Sequence, residues 1–217
     1  MERAAVADMM NQDLLIDRLS QGLQPVRRPL PAWLRALGWA ALAVPCGVAV
    51  SRLVPHYVPD WSRPEMVWAM VEIALSLTVG LTAVMLAFGI SIAGRPMRGG
   101  RLLVALGLVW LAVCAANIAV SPWHAVHVGA GTYCYSFMML ASAPMMALVI
   151  LALRRTRALR PGRALAVAGT GIAFIVSGLL GFCHPGLLHP VDFLMHLAAG
   201  GTIVILTSLL GRRFVSA

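Results

Sequence analysis

The 217-residue sequence contains no lysine: all 17 cationic residues are arginine, set against only 8 acidic ones. Charge of either sign makes up 12% of the chain, about half the share of a water-soluble domain. That shortage excludes a soluble globular enzyme, whose surface must be kept in water. It equally excludes a disordered chain, which needs many charges and few apolar residues. Four scattered cysteines define no disulfide framework, and neither C-x-x-C nor H-E-x-x-H spacing occurs. What is abundant is apolar surface: 60% of residues are hydrophobic and the mean hydropathy is +0.84. Lipid is therefore the expected solvent. A spanning helix takes about 20 apolar residues, so the chain has room for about six. The pI near 10.9 would fit nucleic acid in a soluble protein. In a membrane protein the same excess marks cytoplasmic loops, and no direct nucleic-acid contact is expected.

Six apolar stretches cover residues 33–54, 66–93, 102–120, 131–153, 163–182 and 193–211. Inside lipid the backbone must satisfy its own hydrogen bonds, and the alternation of a β-barrel is absent, so each stretch reads as a helix. Pro45 and Pro144 fall inside the first and fourth spans. Gly169, Gly171, Ser177, Gly178 and Gly181 in the fifth, with Gly200 and Gly201 in the sixth, are suited to close helix–helix contact. The expected fold is all-α, a polytopic bundle of six transmembrane helices with a short N-terminal cytoplasmic amphipathic helix. Residues 1–32 form the cytoplasmic leader, 33–213 the membrane domain and 214–217 the end of a cytoplasmic tail.

Orientation follows from arginine. All but Arg52 and Arg63 lie in the N-terminal segment, the second and fourth loops or the tail. The positive-inside rule then places both termini in the cytoplasm, with six crossings of a cell membrane.

With that topology the reactive residues separate by side. His56, His124, His127, His184 and His189 fall in outer loops, and His196 opens the sixth span. Cys134 and Cys183 lie at the outer boundary, Cys114 in the outer half of its span, and Cys46 past the middle of its own. Met138 and Met139 follow one turn below Cys134. Two readings fit these residues. Thiols and imidazoles, with Cys134, Cys183, His184, His189 and His196 as the metal-ligand set, converge to bind a soft metal or answer an oxidant. Alternatively, Cys and Met pack as apolar residues and His decorates the interface. An oxidising compartment also admits a Cys134–Cys183 disulfide. No cofactor is required by any motif.

Polar groups inside spans are costly in lipid. Glu72, in the outer half of the second span, needs protonation, a wet cavity or a partner, with Arg63, His196 or a bound cation as candidates. Asp192 precedes His196 by four residues and can share its helix face. Asn117 is expected to clasp neighbouring helices.

The leader carries its own amphipathic helix. Leu15, Ile16, Leu19 and Leu23 follow helical spacing, Asn11 or Asp13 can cap the start, and Gly22 with Pro25 ends it. Asp13 and Asp17 share the polar side. A helix lying on anionic lipid displays Lys or Arg there, so this acidic one is suited to docking in the groove of a basic partner.

The run Asp13-Leu14-Leu15-Ile16-Asp17-Arg18-Leu19, then Leu23-Gln-Pro-Val-Arg-Arg-Pro29 and a Trp-containing first span, resembles the negative-regulator-of-sigma-F family of six-span bacterial inner-membrane proteins. Cys183-His-Pro, His189-Pro, Phe193-Leu-Met-His196 and Leu209-Leu-Gly-Arg-Arg213 continue the resemblance to the far end. It implies an anti-sigma factor, not an enzyme, for an extracytoplasmic-function-type sigma factor. Its sigma-binding segment would comprise Asp13, Leu14, Leu15, Ile16, Asp17, Leu19 and Leu23. It further implies an outer cysteine pair that receives the signal, which maps by position to Cys134 and Cys183. The rival reading from residues alone is a transporter or metal-handling protein using the same Cys, His and Met. A third, a haem or quinone oxidoreductase, lacks the facing histidine pairs such a site needs.

Overall fold

A helix closes its own backbone hydrogen bonds, and in the computed structural model every regular element among the described residues is a helix. The structure describes residues 2–21, 29–54, 59–92, 94, 96–97, 99–121, 130–156, 160–183 and 186–215. Leu23, His56, His124, His127 and His184, all singled out above, lie outside them. In chain order the helices are α1 (Glu2–Gln21), α2 (Ala32–Ser51), α3 (Met66–Ile90), α4 (Gly100–Val120), α5 (Ala130–Arg154), α6 (Pro161–Gly181) and α7 (Pro190–Val215). The last six are long and apolar enough to cross a membrane. Pro161 opens α6 and Pro190 opens α7, positions where a missing N–H costs nothing. Pro45 and Pro144 lie inside α2 and α5, as expected.

The chain divides into two units, Met1–Leu30 and Pro31–Ala217. In the first, α1 begins at Glu2, well before the expected caps. Ala4, Ala5 and Ala7 are strong helix formers and extend the helix back through Asn11 and Asp13.

In the second unit, α6 is central and packs on α3, α7 and α5; α2 closes against α3 and α5, and α4 rests on α3. The expected glycine contacts have a definite partner. A Cβ on Gly171 would stand 2.8 Å from the Gly80 carbonyl oxygen, and one on Gly80 would stand 2.8 Å from that of Gly171. The two helices thus meet backbone to backbone. Gly178 and Gly181 continue this α6 face against Ser76, Leu77 and Ile73 of α3. Gly169 instead faces Val204 and Thr207 of α7. Gly201 meets nothing within 4 Å, so the close contact expected there is not formed.

Consecutive helices run up and down, which gives the bundle two chemically distinct ends. At one, Arg35 at the start of α2 donates to the Phe88 carbonyl (3.1 Å) and Ser91 Oγ (3.4 Å) at the end of α3, with its guanidinium 4.6 Å from the Phe88 ring centre. A cation is favoured there by the free carbonyls of a helix C-terminus. Arg212, near the end of α7, reaches Gly162 at the start of α6 at this same end. Replacing Arg35 by Ala is expected to cost about 2 kcal/mol, because it removes a charged hydrogen bond together with a cation–π attraction. The check is a lowered melting temperature in detergent, with the fold retained.

Candidate functional site

The opposite end brings together Glu72, Ser76, Asn117, Asp192 and His196. Asn117, near the end of α4, is completely buried. Its Nδ2 donates to Glu72 Oε1 of α3 at 2.7 Å and to the Gly186 carbonyl at 3.2 Å. Its Oδ1 accepts from the Leu188 N–H at 3.3 Å. One amide thereby joins α3, α4 and the segment that links α6 to α7, the clasp expected of it. A primary amide has donors and an acceptor at once, so it can bridge a carboxylate, a carbonyl and an N–H, as no charged side chain can.

Glu72 therefore faces Asn117. Arg63, a compensating cation in the sequence reading, is occupied elsewhere: it lies 3.7 Å from Asp60 and 3.6 Å from Glu65 at the surface. Exposed charges pair where water already stabilises them, and Arg63 does so. Asp60 also accepts from the Ser62 hydroxyl and N–H, and these bonds hold its carboxyl below the ordinary range.

Glu72, Cys114, Ser76, Ser177 and His196 line a cavity of about 30 Å³ beneath this clasp, closed on one side by Trp110. Trp110 Nε1 donates to Ser76 Oγ at 2.8 Å, and its ring meets Phe174 edge-on at 5.0 Å. Asp192, one turn before His196 in the first turn of α7, is buried where the helix N-terminus favours an anion.

His189 has a local task. Its Nδ1 accepts the Val191 N–H at 3.1 Å, satisfying a donor of the first turn of α7.

The cysteines are all free thiols. Cys134, in the first turns of α5, is buried, and Cys183, two residues beyond α6, is half-buried; both belong to the main apolar core. The disulfide that the sequence admits is not formed between them. Burial pushes the Cys183 thiol up, and the nearby Arg52 guanidinium offsets this in part. A raised pKa leaves less of the thiolate, which is the nucleophilic form. Cys114 is buried and Cys46 exposed on α2. Among the described residues no three of His, Cys, Asp and Glu approach as metal ligands. Of the described members of the expected ligand set, His189 is engaged as a cap, Cys134 and Cys183 pack in or against the main core, and His196 lines the cavity.

A second surface belongs to the first unit. On α1, Leu14, Leu15, Ile16 and Leu19 are 57–65% exposed, and Asp13 and Asp17 are exposed as well. Among the described residues of its own unit, nothing covers this apolar stripe. Helical spacing finds Leu15, Ile16 and Leu19 in the sequence, and Leu14 enters through the family resemblance. Sequence reasoning misses Gly186 and Leu188, which act through backbone atoms and carry no side-chain signal.

A family model described as negative regulator of sigma F matches residues 19–215, from the last turn of α1 through α7. No curated protein and no solved structure matches the chain.

Proposed function

This chain belongs to the negative-regulator-of-sigma-F family, and from that premise we propose that it is an inner-membrane anti-sigma factor. It holds an extracytoplasmic-function-type sigma factor through α1 and releases it when a thiol-directed signal, an oxidant or a soft metal ion, reaches Cys134 and Cys183. The observation that carries the binding role is the uncovered stripe of Leu14, Leu15, Ile16 and Leu19 on a helix outside the membrane unit. A helix in water does not keep four large apolar side chains exposed without a groove to receive them. Asp13 and Asp17 steer the encounter with a basic partner. The protein acts by binding, as a regulator and not an enzyme, and keeps sigma from RNA polymerase with no nucleic-acid contact of its own.

Positive-inside orientation supports the sidedness: the arginine-bearing end, with α1, faces the cytoplasm, and the end holding Cys183, His189 and His196 faces outward. Glu72, Asp192 and His196 all cluster towards that outer end. This favours a receiver over a transport pathway, which needs ionisable groups at mid-depth.

Signal and binding are separable in this scheme. Replacing Cys134 and Cys183 together by Ser is expected to abolish stress-induced expression of the sigma-dependent genes while sigma remains bound at rest. Co-purification of sigma with the variant, beside a transcriptional reporter, reads both. A fully inducible double variant would remove the thiols from the mechanism. A useful switch needs a coupling of only about 1–3 kcal/mol between the two ends.

A further inference from the structure

We propose that the membrane unit binds a single-ring phenol taken up from the bilayer. The ring lies in an apolar cleft between α4, α5, α6 and α7, and the hydroxyl enters the polar recess lined by Glu72, Ser177 and His196. The site is independent of how sigma is held and of which thiols receive a signal.

The cleft has a volume of about 160 Å³, with Met138, Phe174, Leu197 and Val204 in its walls. An apolar cavity of about 150 Å³ takes up benzene, so this one has room for one ring. Leu197 and Gly201 on its rim are exposed, so it opens on the side of the bundle, which in a spanning bundle is lipid. Its inner end adjoins the cavity of about 30 Å³ beneath the Asn117 clasp: Trp110, Ser177 and His196 belong to the walls of both. That smaller space carries the Glu72 carboxylate, the Ser76 and Ser177 hydroxyls and the His196 imidazole. Glu72 and His196 lie within two turns of the starts of α3 and α7, whereas Thr170 and Val204, in the cleft, lie near the middle of α6 and α7. The two spaces together run from a polar end near the bundle surface to an apolar end at mid-depth, the course of an amphiphile in a leaflet.

The recess selects the head group. A lipid acyl chain fits the cleft but would set a methyl end against a carboxylate and leave polar groups without partners. A fatty acid would bring a second carboxylate beside Glu72. A quaternary ammonium is too bulky, since about 30 Å³ admits only one or two atoms of water size. A hydroxyl is one oxygen that both donates and accepts. It can donate to Glu72, whose carboxylate has acceptor capacity beyond the bond from Asn117, and accept from a neighbouring hydroxyl or imidazole N–H. Trp110 and Phe174, packed edge-on at 5.0 Å in the cleft wall, suit a flat ring over an aliphatic alcohol. Such a ring occurs as a free phenol and as the head of a tailed quinol.

Fluorine NMR of para-fluorophenol with the full chain in lipid nanodiscs tests this, and protein-free nanodiscs measure simple partition. The probe signal should shift and broaden saturably only where the chain is present. Para-fluoroanisole keeps the ring but has no O–H to donate, and should bind about tenfold more weakly, the scale of one buried hydrogen bond. Gly200→Leu should abolish binding. A Cβ there stands 3.6 Å from the Ala173 Cβ, an ordinary contact, and the further carbons fill the cleft that both residues line. Glu72→Leu should weaken binding about tenfold, and Ser177→Ala by a smaller factor. If Glu72→Leu does not yield folded protein, Ser177→Ala, Gly200→Leu and the anisole comparison decide the matter. A decyl-tailed benzoquinol, kept reduced, is added as competitor. Displacement of the probe assigns the site to a quinol head whose tail leaves through the open side, and no displacement assigns it to a free phenol; either result upholds the site. Lack of saturable binding, equal affinity for para-fluoroanisole, or undiminished binding to Gly200→Leu would overturn the proposal.

Discussion

Replacing Leu15 and Leu19 of α1 by Asp will free the sigma factor and make its target genes constitutive, with the membrane unit intact. Both leucines lie in the exposed stripe, and each, buried in a partner groove, would act as an anchor worth about 2 kcal/mol or more. The added carboxylates must also be desolvated in the complex. Loss of both anchors should weaken sigma binding roughly a thousandfold, since each 1.4 kcal/mol is tenfold. Titration of the purified full chain with sigma measures the loss directly, and a reporter gene gives the cellular consequence. Because α1 forms a unit separate from Pro31–Ala217, the melting temperature of the bundle should not move. Unaltered sigma affinity in the double variant would shift the binding site to the arginine-bearing loops.

The second large effect concerns the bundle itself. Gly171→Leu is expected to cost about 3 kcal/mol or more, enough to deplete folded protein from the membrane. The reason is that the first added carbon meets backbone: the Gly80 carbonyl oxygen at 2.8 Å and the Val84 nitrogen at 3.0 Å. Neither can rotate away, so α3 and α6 must separate along their whole contact. In lipid that contact is held by close packing and sparse polar bonds, with no hydrophobic drive to restore it at a wider spacing. Gly201→Ala is the control. Nothing lies within 4 Å of its added carbon, and its effect should stay within about 0.5 kcal/mol. Thermal unfolding in detergent compares the two variants, and equal melting temperatures would show that the α3–α6 approach is not limiting.

α3 runs from one end of the bundle to the other. That helix carries Gly80 at the centre of the bundle and Glu72 at the end that holds Cys183.

Local chemistry alone determined the membrane unit. Twenty apolar residues in lipid can only be a helix, because every unpaired backbone group there is costly, and six such runs therefore read directly from hydropathy. Arginine placement separates the two ends for a similarly local reason, and helical spacing exposes the α1 stripe at Leu15, Ile16 and Leu19. The expected starts at 66, 102 and 131 fall within three positions of the observed helix starts. What the tertiary structure decided is which polar groups meet. Helices that are apolar all round carry no stripe to tell one face from another, so nothing in the sequence selects Asn117 as a partner of Glu72 before the two are seen 2.7 Å apart. Gly80 draws no notice, because a single glycine in a span has no meaning until Gly171 is placed opposite. Arg35 counts only as cytoplasmic charge until α3 ends beside it. Each of these partnerships joins residues far apart in the chain, and their energies depend on a few tenths of an ångström of approach. Periodicity records the solvent a helix expects; the neighbour it will touch is settled only when the helices pack.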